Sequence, residues 1–253
     1  MTEALSKALN MAHQGYRTPS LSTRDSSPHF DRVLHTKVQA SHRQSVSQGY
    51  PPTPNDIQGL VLTASGIAAR DTSAFSDVQA FFLAKQRLGD QAVIQLSLQL
   101  QQTPNTLQHL ILGHNGITPF AAAALADLLK VNHFIGWLVL NGNKLSDLGA
   151  QKLATGLAKN KGLIHLILDD NDISDLGVSE LSTSLKEHPT LESLFLKNNA
   201  LTDRSKDALV SLLLHSHSLK RLDLRGNPRL SQKTKESLLQ IAHQKGRRVL
   251  LDQ

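Results

Sequence analysis

A fixed spacing constrains this chain more than any other feature. Leu107, Leu110, Leu112, Asn115 and Ile117 form a pattern that returns 28 residues later as Ile135, Leu138, Leu140, Asn143 and Leu145. It returns again as Leu163, Leu166, Leu168, Asn171 and Ile173, then as Leu191, Leu194, Leu196, Asn199 and Leu201. A fifth copy reads Leu219, Leu222, Leu224 and Asn227, and one further step of 28 reaches Arg247, where Arg247-Arg248-Val249-Leu250-Leu251 reads as a last strand. Upstream, Val78, Phe81, Leu83, Gln86 and Leu88 fit with Gln in the Asn slot, 29 residues before Leu107. Ile57, Leu60, Leu62, Ser65 and Ile67 fit with Ser there, after a unit of 21 residues. Strands are therefore expected to start near 57, 78, 107, 135, 163, 191, 219 and 247. A unit this short cannot bury its own apolar face, so only a stack is stable.

Each part of the unit has a physical reading. The Leu-x-Leu alternation makes a short strand with one face buried. The asparagine at the following turn can pair backbone groups that the turn leaves open. Thr118, Ser146, Ser174 and Thr202 fall three residues after each asparagine and read as helix N-caps, with Pro119 fitting a first helical position. Leu125 and Leu129, Leu153 and Leu157, Leu181 and Leu185, and Leu209 and Leu213 then stand four apart on helices facing the strands.

This pattern resembles the leucine-rich-repeat superfamily, and within it the ribonuclease-inhibitor-like class with repeats near 28 residues. The resemblance spans residues 57–253 and is strongest from 107 to 227. It implies an α/β solenoid, a horseshoe with a parallel sheet on the concave face and helices on the convex face. It also implies a ligand held on the concave face. A free-standing, cysteine-free solenoid of this class is similar, too, to bacterial effectors that act inside host cells.

The ends differ from the repeats. Residues 1–14 read as a short amphipathic helix through Leu5 and Leu9, best taken as a cap. Residues 15–56, rich in Ser, Pro, His, Gln and Arg, read as a disordered or loosely attached segment. There is no cysteine, which excludes disulfides, thiolate metal sites and cysteine nucleophiles and agrees with a reducing intracellular environment. No apolar run approaches the ~18 residues of a membrane span. The formal net charge is +6, and it belongs to one end. From His217 onward nine Lys or Arg face three acids, and nine minus three is six.

Chemical motifs are absent: there is no phosphate loop, no HExxH and no GxSxG. Asp170-x-Asp172-x-Ser174 begins like a calcium loop, but Asp175 stands where that loop needs Gly. His109 and His165 are equivalent positions two repeats apart, too distant without a third ligand for a metal site. No cofactor or metal is expected.

The informative surface is the concave face, read from the residues between the buried leucines. That column runs Val61, Phe82, Ile111, Val139, Ile167, Phe195 and then Asp223. Beside it run His109, Trp137, His165, Ser193 and Arg221, and beyond it Asn141, Asp169, Lys197 and Arg225. Strand propensity accounts for Val and Ile but not for Phe82, Phe195 and Trp137 facing solvent. An N-terminal segment folded back over the stripe is a competing account. The adopted reading is a monomeric module that holds a protein or peptide on this solvent-facing stripe, with Asp169, Lys197, Arg221 and Arg225 setting orientation. The rivals are a nucleic-acid or acidic-surface binder using the basic C-terminal end, and an enzyme with an unrecognised site.

Overall fold

Seven of the eight described strands form at the expected register, and all eight pair in strict sequence order. The computed structural model describes residues 59–60, 79–102 and 107–252. Val61 and the readings made for residues 1–14 and 15–56 lie outside the described residues. The elements are β1 (Gly59–Leu60), β2 (Ala80–Phe82), α1 (Gly89–Gln102), β3 (His109–Ile111), α2 (Pro119–Val131), β4 (Trp137–Val139) and α3 (Ser146–Leu157). There follow β5 (His165–Ile167), α4 (Asp175–Leu185), β6 (Ser193–Phe195), a 3-10 turn (Asp203–Ser205), α5 (Lys206–His215), β7 (Arg221–Asp223), α6 (Gln232–Gln244) and β8 (Arg248–Leu250). All pairings are parallel, in one open sheet ordered β1 to β8. His109, Trp137, His165, Ser193 and Arg221 stand side by side across it.

The core is a single apolar layer between strands and helices. Leu110, Leu138, Leu166, Leu194 and Leu222 from the strands join the helical pairs Leu125/Leu129 through Leu209/Leu213 in one buried cluster. The asparagine ladder closes its edge. Asn115 Nδ2 donates to the carbonyls of Leu83 (2.7 Å) and Leu112 (3.0 Å), while its Oδ1 accepts from Gln86 N. Asn143 repeats this toward Leu112 and Leu140. Such buried amides satisfy turn groups that no strand or helix reaches.

Three local features depart from expectation or went unread. The last step is 27 residues, because Arg221 pairs with Arg248 and Leu222 with Val249. α6 ends in a tight turn at Gly246, whose φ of +64° suits glycine, and this consumes one residue fewer. A second polar ladder runs along the helix C-terminal side through Asn132, Asn160, His188 and Ser216, 28 residues apart and all buried. Asn160 Oδ1 accepts from Gly162 N and Leu163 N, and its Nδ2 donates to Leu129 O and Asn132 O.

A third ladder joins helix starts, and it has one broken rung. Asp90, Asp147, Asp175 and Asp203 each accept the backbone N–H of the capping residue of the next repeat, respectively Thr118, Ser174, Thr202 and Ser231. Thr118 and Thr202 do cap as expected, accepting from Phe120 N and Arg204 N. Ser174 sits at the cap position but its hydroxyl donates to Asp147 instead. Ser146 does not cap at all. Pro119 occupies the aspartate's slot one repeat earlier and offers no side-chain acceptor, and Ser146 is drawn into the helix as its first residue at φ +52°.

Candidate functional site

The strand face away from the helices carries a second apolar cluster, built by the alternation of side chains along each strand. Trp137, Val139, Ile167 and Phe195 form it, with Ile111 packed against them. Every described helix contributes to the first cluster and none of them to the second. The parallel register places Ile111, Val139, Ile167 and Phe195 on adjacent strands, about 4.8 Å apart. Phe82 continues the column on β2, and Asp223 ends it on β7.

The expectation that this stripe faces solvent is overturned. Trp137 is 3% exposed, Val139 4%, Ile167 5%, Phe195 5% and Phe82 8%; only Ile111 is half-buried. Pointing away from the helices is therefore not the same as pointing into water on this face. The neighbouring polar residues are buried as well: His109, His165, Ser193 and Asp169 all belong to the interior. Lys197, Arg221 and Arg225 are half-buried at its margin.

The rings stack down the middle. Trp137 lies 3.8 Å from His165, centroid to centroid, at 33°, and 6.3 Å from His109. Burial pushes both imidazoles down to about 4, with the positive charge of Arg221 adding to the effect at His165, so both are neutral near pH 7. Their Nδ1 atoms have no hydrogen-bond partner among the described residues. Burial also pushes the Asp169 carboxyl up to about 7, against a hydrogen bond that its Oδ1 accepts from Lys197 N at 2.8 Å. Its Oδ2 has no partner among the described residues. Asp223 is fully buried but satisfied, since Arg225 Nε donates to it at 2.9 Å. Among the described residues no cluster of His, Asp or Glu converges as a metal site.

The charges divide between structural and marginal roles. Arg225 belongs to Asp223, and Lys220 pairs with Glu192 at 2.5 Å. Arg247, counted with the basic end, donates its guanidinium to the carbonyls of Leu212 and Ser216 at the end of α5. Part of the basic end is thus helix capping. A separate apolar column escaped the sequence reading: Phe120, Leu148 and Leu176 stand at one register near the starts of α2, α3 and α4, exposed by 78%, 51% and 73%. The same 28-residue arithmetic that revealed the strands would have found it.

A family model described as Leucine Rich repeat matches residues 103–126, 132–154 and 159–182. These matches support the leucine-rich-repeat family, and together with the open parallel sheet alternating with helices they make the fold an α/β solenoid of leucine-rich repeats. No curated protein matches the chain. Among the described residues no helix is long and apolar enough to cross a membrane.

Proposed function

We propose that this chain is a protein-binding module of the ribonuclease-inhibitor-like class whose recognition surface is the helix-free, concave face of the sheet. Leucine-rich repeats generally mediate protein–protein interaction. The observation that carries the reading is the second apolar cluster around Trp137, which takes no part in the core and is bordered by polar atoms without partners. Unpaired buried polar groups are disfavoured by roughly 1–3 kcal/mol each, and a fold that needed only stability would have placed leucines there. Trp137, Val139, Ile167 and Phe195, already buried in the free chain, would have to be opened before they supply contact area to a bound protein or peptide. His109, His165 and Asp169 would supply directional contacts, and Lys197, Arg221 and Arg225 the charged rim. The four 28-residue steps from Leu107 to Leu219 support the class assignment. The narrower role of an effector acting on a host protein rests on its resemblance to such solenoids.

The test compares capture of a binding protein by the wild type and by two single variants. Trp137→Ala should weaken binding by about 2 kcal/mol or more, close to thirtyfold, because buried aromatics near the centre of a patch dominate binding energy. Phe120→Ser, on the opposite side of the solenoid, should leave it unchanged. The reverse result would move the recognition surface to the helix side and end this reading.

A further inference from the structure

Phe120, Leu148 and Leu176 form an exposed apolar column on the helix side, one at the start of each of α2, α3 and α4. The next step of 28 reaches Arg204, also exposed, in the turn before α5. Packed helices stand about 8–10 Å apart, so the four positions make a column of rungs roughly 24–30 Å long. Charge is distributed along it rung by rung. Lys144 and Lys152 stand four residues to either side of Leu148, and Asp172 and Glu180 stand four residues to either side of Leu176. All four are exposed. The outer rungs have small flanks instead, Gly116 and Ala124 about Phe120, and Ala200 and Ala208 about Arg204. The order along the column is therefore an aromatic ring, a basic rung, an acidic rung and a cation. Lys144, Lys152, Asp172, Glu180 and Arg204 take part in no ion pair among the described residues.

We propose that this column is a dimer interface with a second copy of the chain, the two-fold axis lying between α3 and α4 and parallel to them. Rotation about that axis reverses the order of the rungs and keeps each flank on its own side. Leu148 then meets Leu176 of the second copy, Lys144 faces Asp172, and Lys152 faces Glu180. The Arg204 guanidinium lies over the ring of Phe120, where the small flanks leave room for it. Each contact is made twice, as a two-fold interface requires. Other placements fail on charge. A slip of one rung sets Leu148 against itself and the lysines against their own copies, or Leu176 against itself and acid against acid. An axis along the column does both at once. Like charges brought together in this way are strongly disfavoured, so the charge order selects one register. The rungs with one helical turn to either side outline roughly 500–600 Å² on each copy, at the low end for a specific interface, so the association is reversible. The column lies on the other side of the sheet from Trp137, and the contact does not depend on the function given above. It departs from the monomeric module expected from the sequence.

Sedimentation velocity on the full chain tests this pairing. The wild type should move from monomer to dimer mass as its concentration rises, and added salt should favour the monomer. Lys152→Glu sets acid against Glu180 of the second copy and should weaken the dimer about tenfold or more. Glu180→Lys should do the same by setting lysine against lysine. Mixing the two single variants should recover the dimer, because every contact between them joins opposite charges. The double variant Lys152→Glu/Glu180→Lys should recover it as well. The same exchange at Lys144 and Asp172 repeats the test on the other flank, should either first variant fail to fold. A wild type that stays monomeric at about 0.5 mM overturns the proposal and leaves the column to a foreign partner. A dimer that the single variants leave intact overturns it too, by placing the contact elsewhere. So do single variants that dissociate and recover neither in the mixture nor in the double variant, since the charges then do not face one another.

Discussion

The two faces of the sheet are buried to nearly the same degree and are built on opposite principles. On the helix side, strand leucines interlock with helical leucines, and the ladder asparagines at its edge hydrogen-bond turn carbonyls and amides. On the other side, a tryptophan, two histidines and an aspartate sit among apolar residues, with three polar atoms left unpaired. Burial by itself therefore does not identify the core. What distinguishes a core from a kept surface is whether its polar atoms are satisfied and whether each residue contacts more than its own sheet.

The largest effect should separate the faces directly. Leu166→Ala removes a side chain enclosed by strand and helix and should cost about 2–5 kcal/mol in chemical denaturation. Its neighbour Ile167 points the other way, and Ile167→Ser should cost about half as much or less, since only one side of it is packed by the sheet. Equal losses would erase the distinction and make the helix-free face a second core.

A smaller effect tests the unsatisfied aspartate. Its folded pKa of about 7 lies above that of an unfolded carboxyl, so between about pH 4 and pH 7 the folded chain binds a proton that the unfolded chain does not. The stability Asp169 contributes is full below that window and is lost as pH rises through it. Asp169→Asn removes this loss. The variant should match the wild type near pH 4 and exceed it by on the order of 1 kcal/mol near pH 8. The three lowered histidines, His109, His165 and His188, push stability upward with pH in both proteins and so cancel from the difference. A difference independent of pH would show that Asp169 is paired and the face is as satisfied as the core.

The smallest effect sharpens the comparison from the core side. His188 fills a slot that Asn160 fills one repeat earlier, but it accepts at 3.2–3.4 Å and leaves Nε2 without a partner. His188→Asn should restore the rung and raise stability by about 0.5–1 kcal/mol, read as an increase in melting temperature. A loss would mean the imidazole fills volume that the smaller amide cannot.

The repeat made most of the fold legible. Eight strands, their parallel order, the inward leucines and the asparagine ladder all follow from one period, because every repeat faces the same neighbours and must solve the same packing problem. Local chemistry also identified which residues share the helix-free face, since strand alternation is a geometric certainty once the strands are known. The failures sit where one repeat meets the next. Ser146 makes no cap in the repeat where Pro119 stands in the aspartate's slot 27 residues earlier, and the final strand shifted by one residue at the Gly246 turn.

Which side each residue points toward was thus in the sequence, and whether that side is wet was not. Side-chain direction is set by the backbone of a single strand, whereas exposure is set by everything that packs across it from any distance along the chain. Trp137, Val139, Ile167 and Phe195 were correctly placed together and wrongly placed in water. The lifted carboxyl of Asp169 and the neutral histidines arise from the same long-range desolvation, which no local pattern of residues encodes.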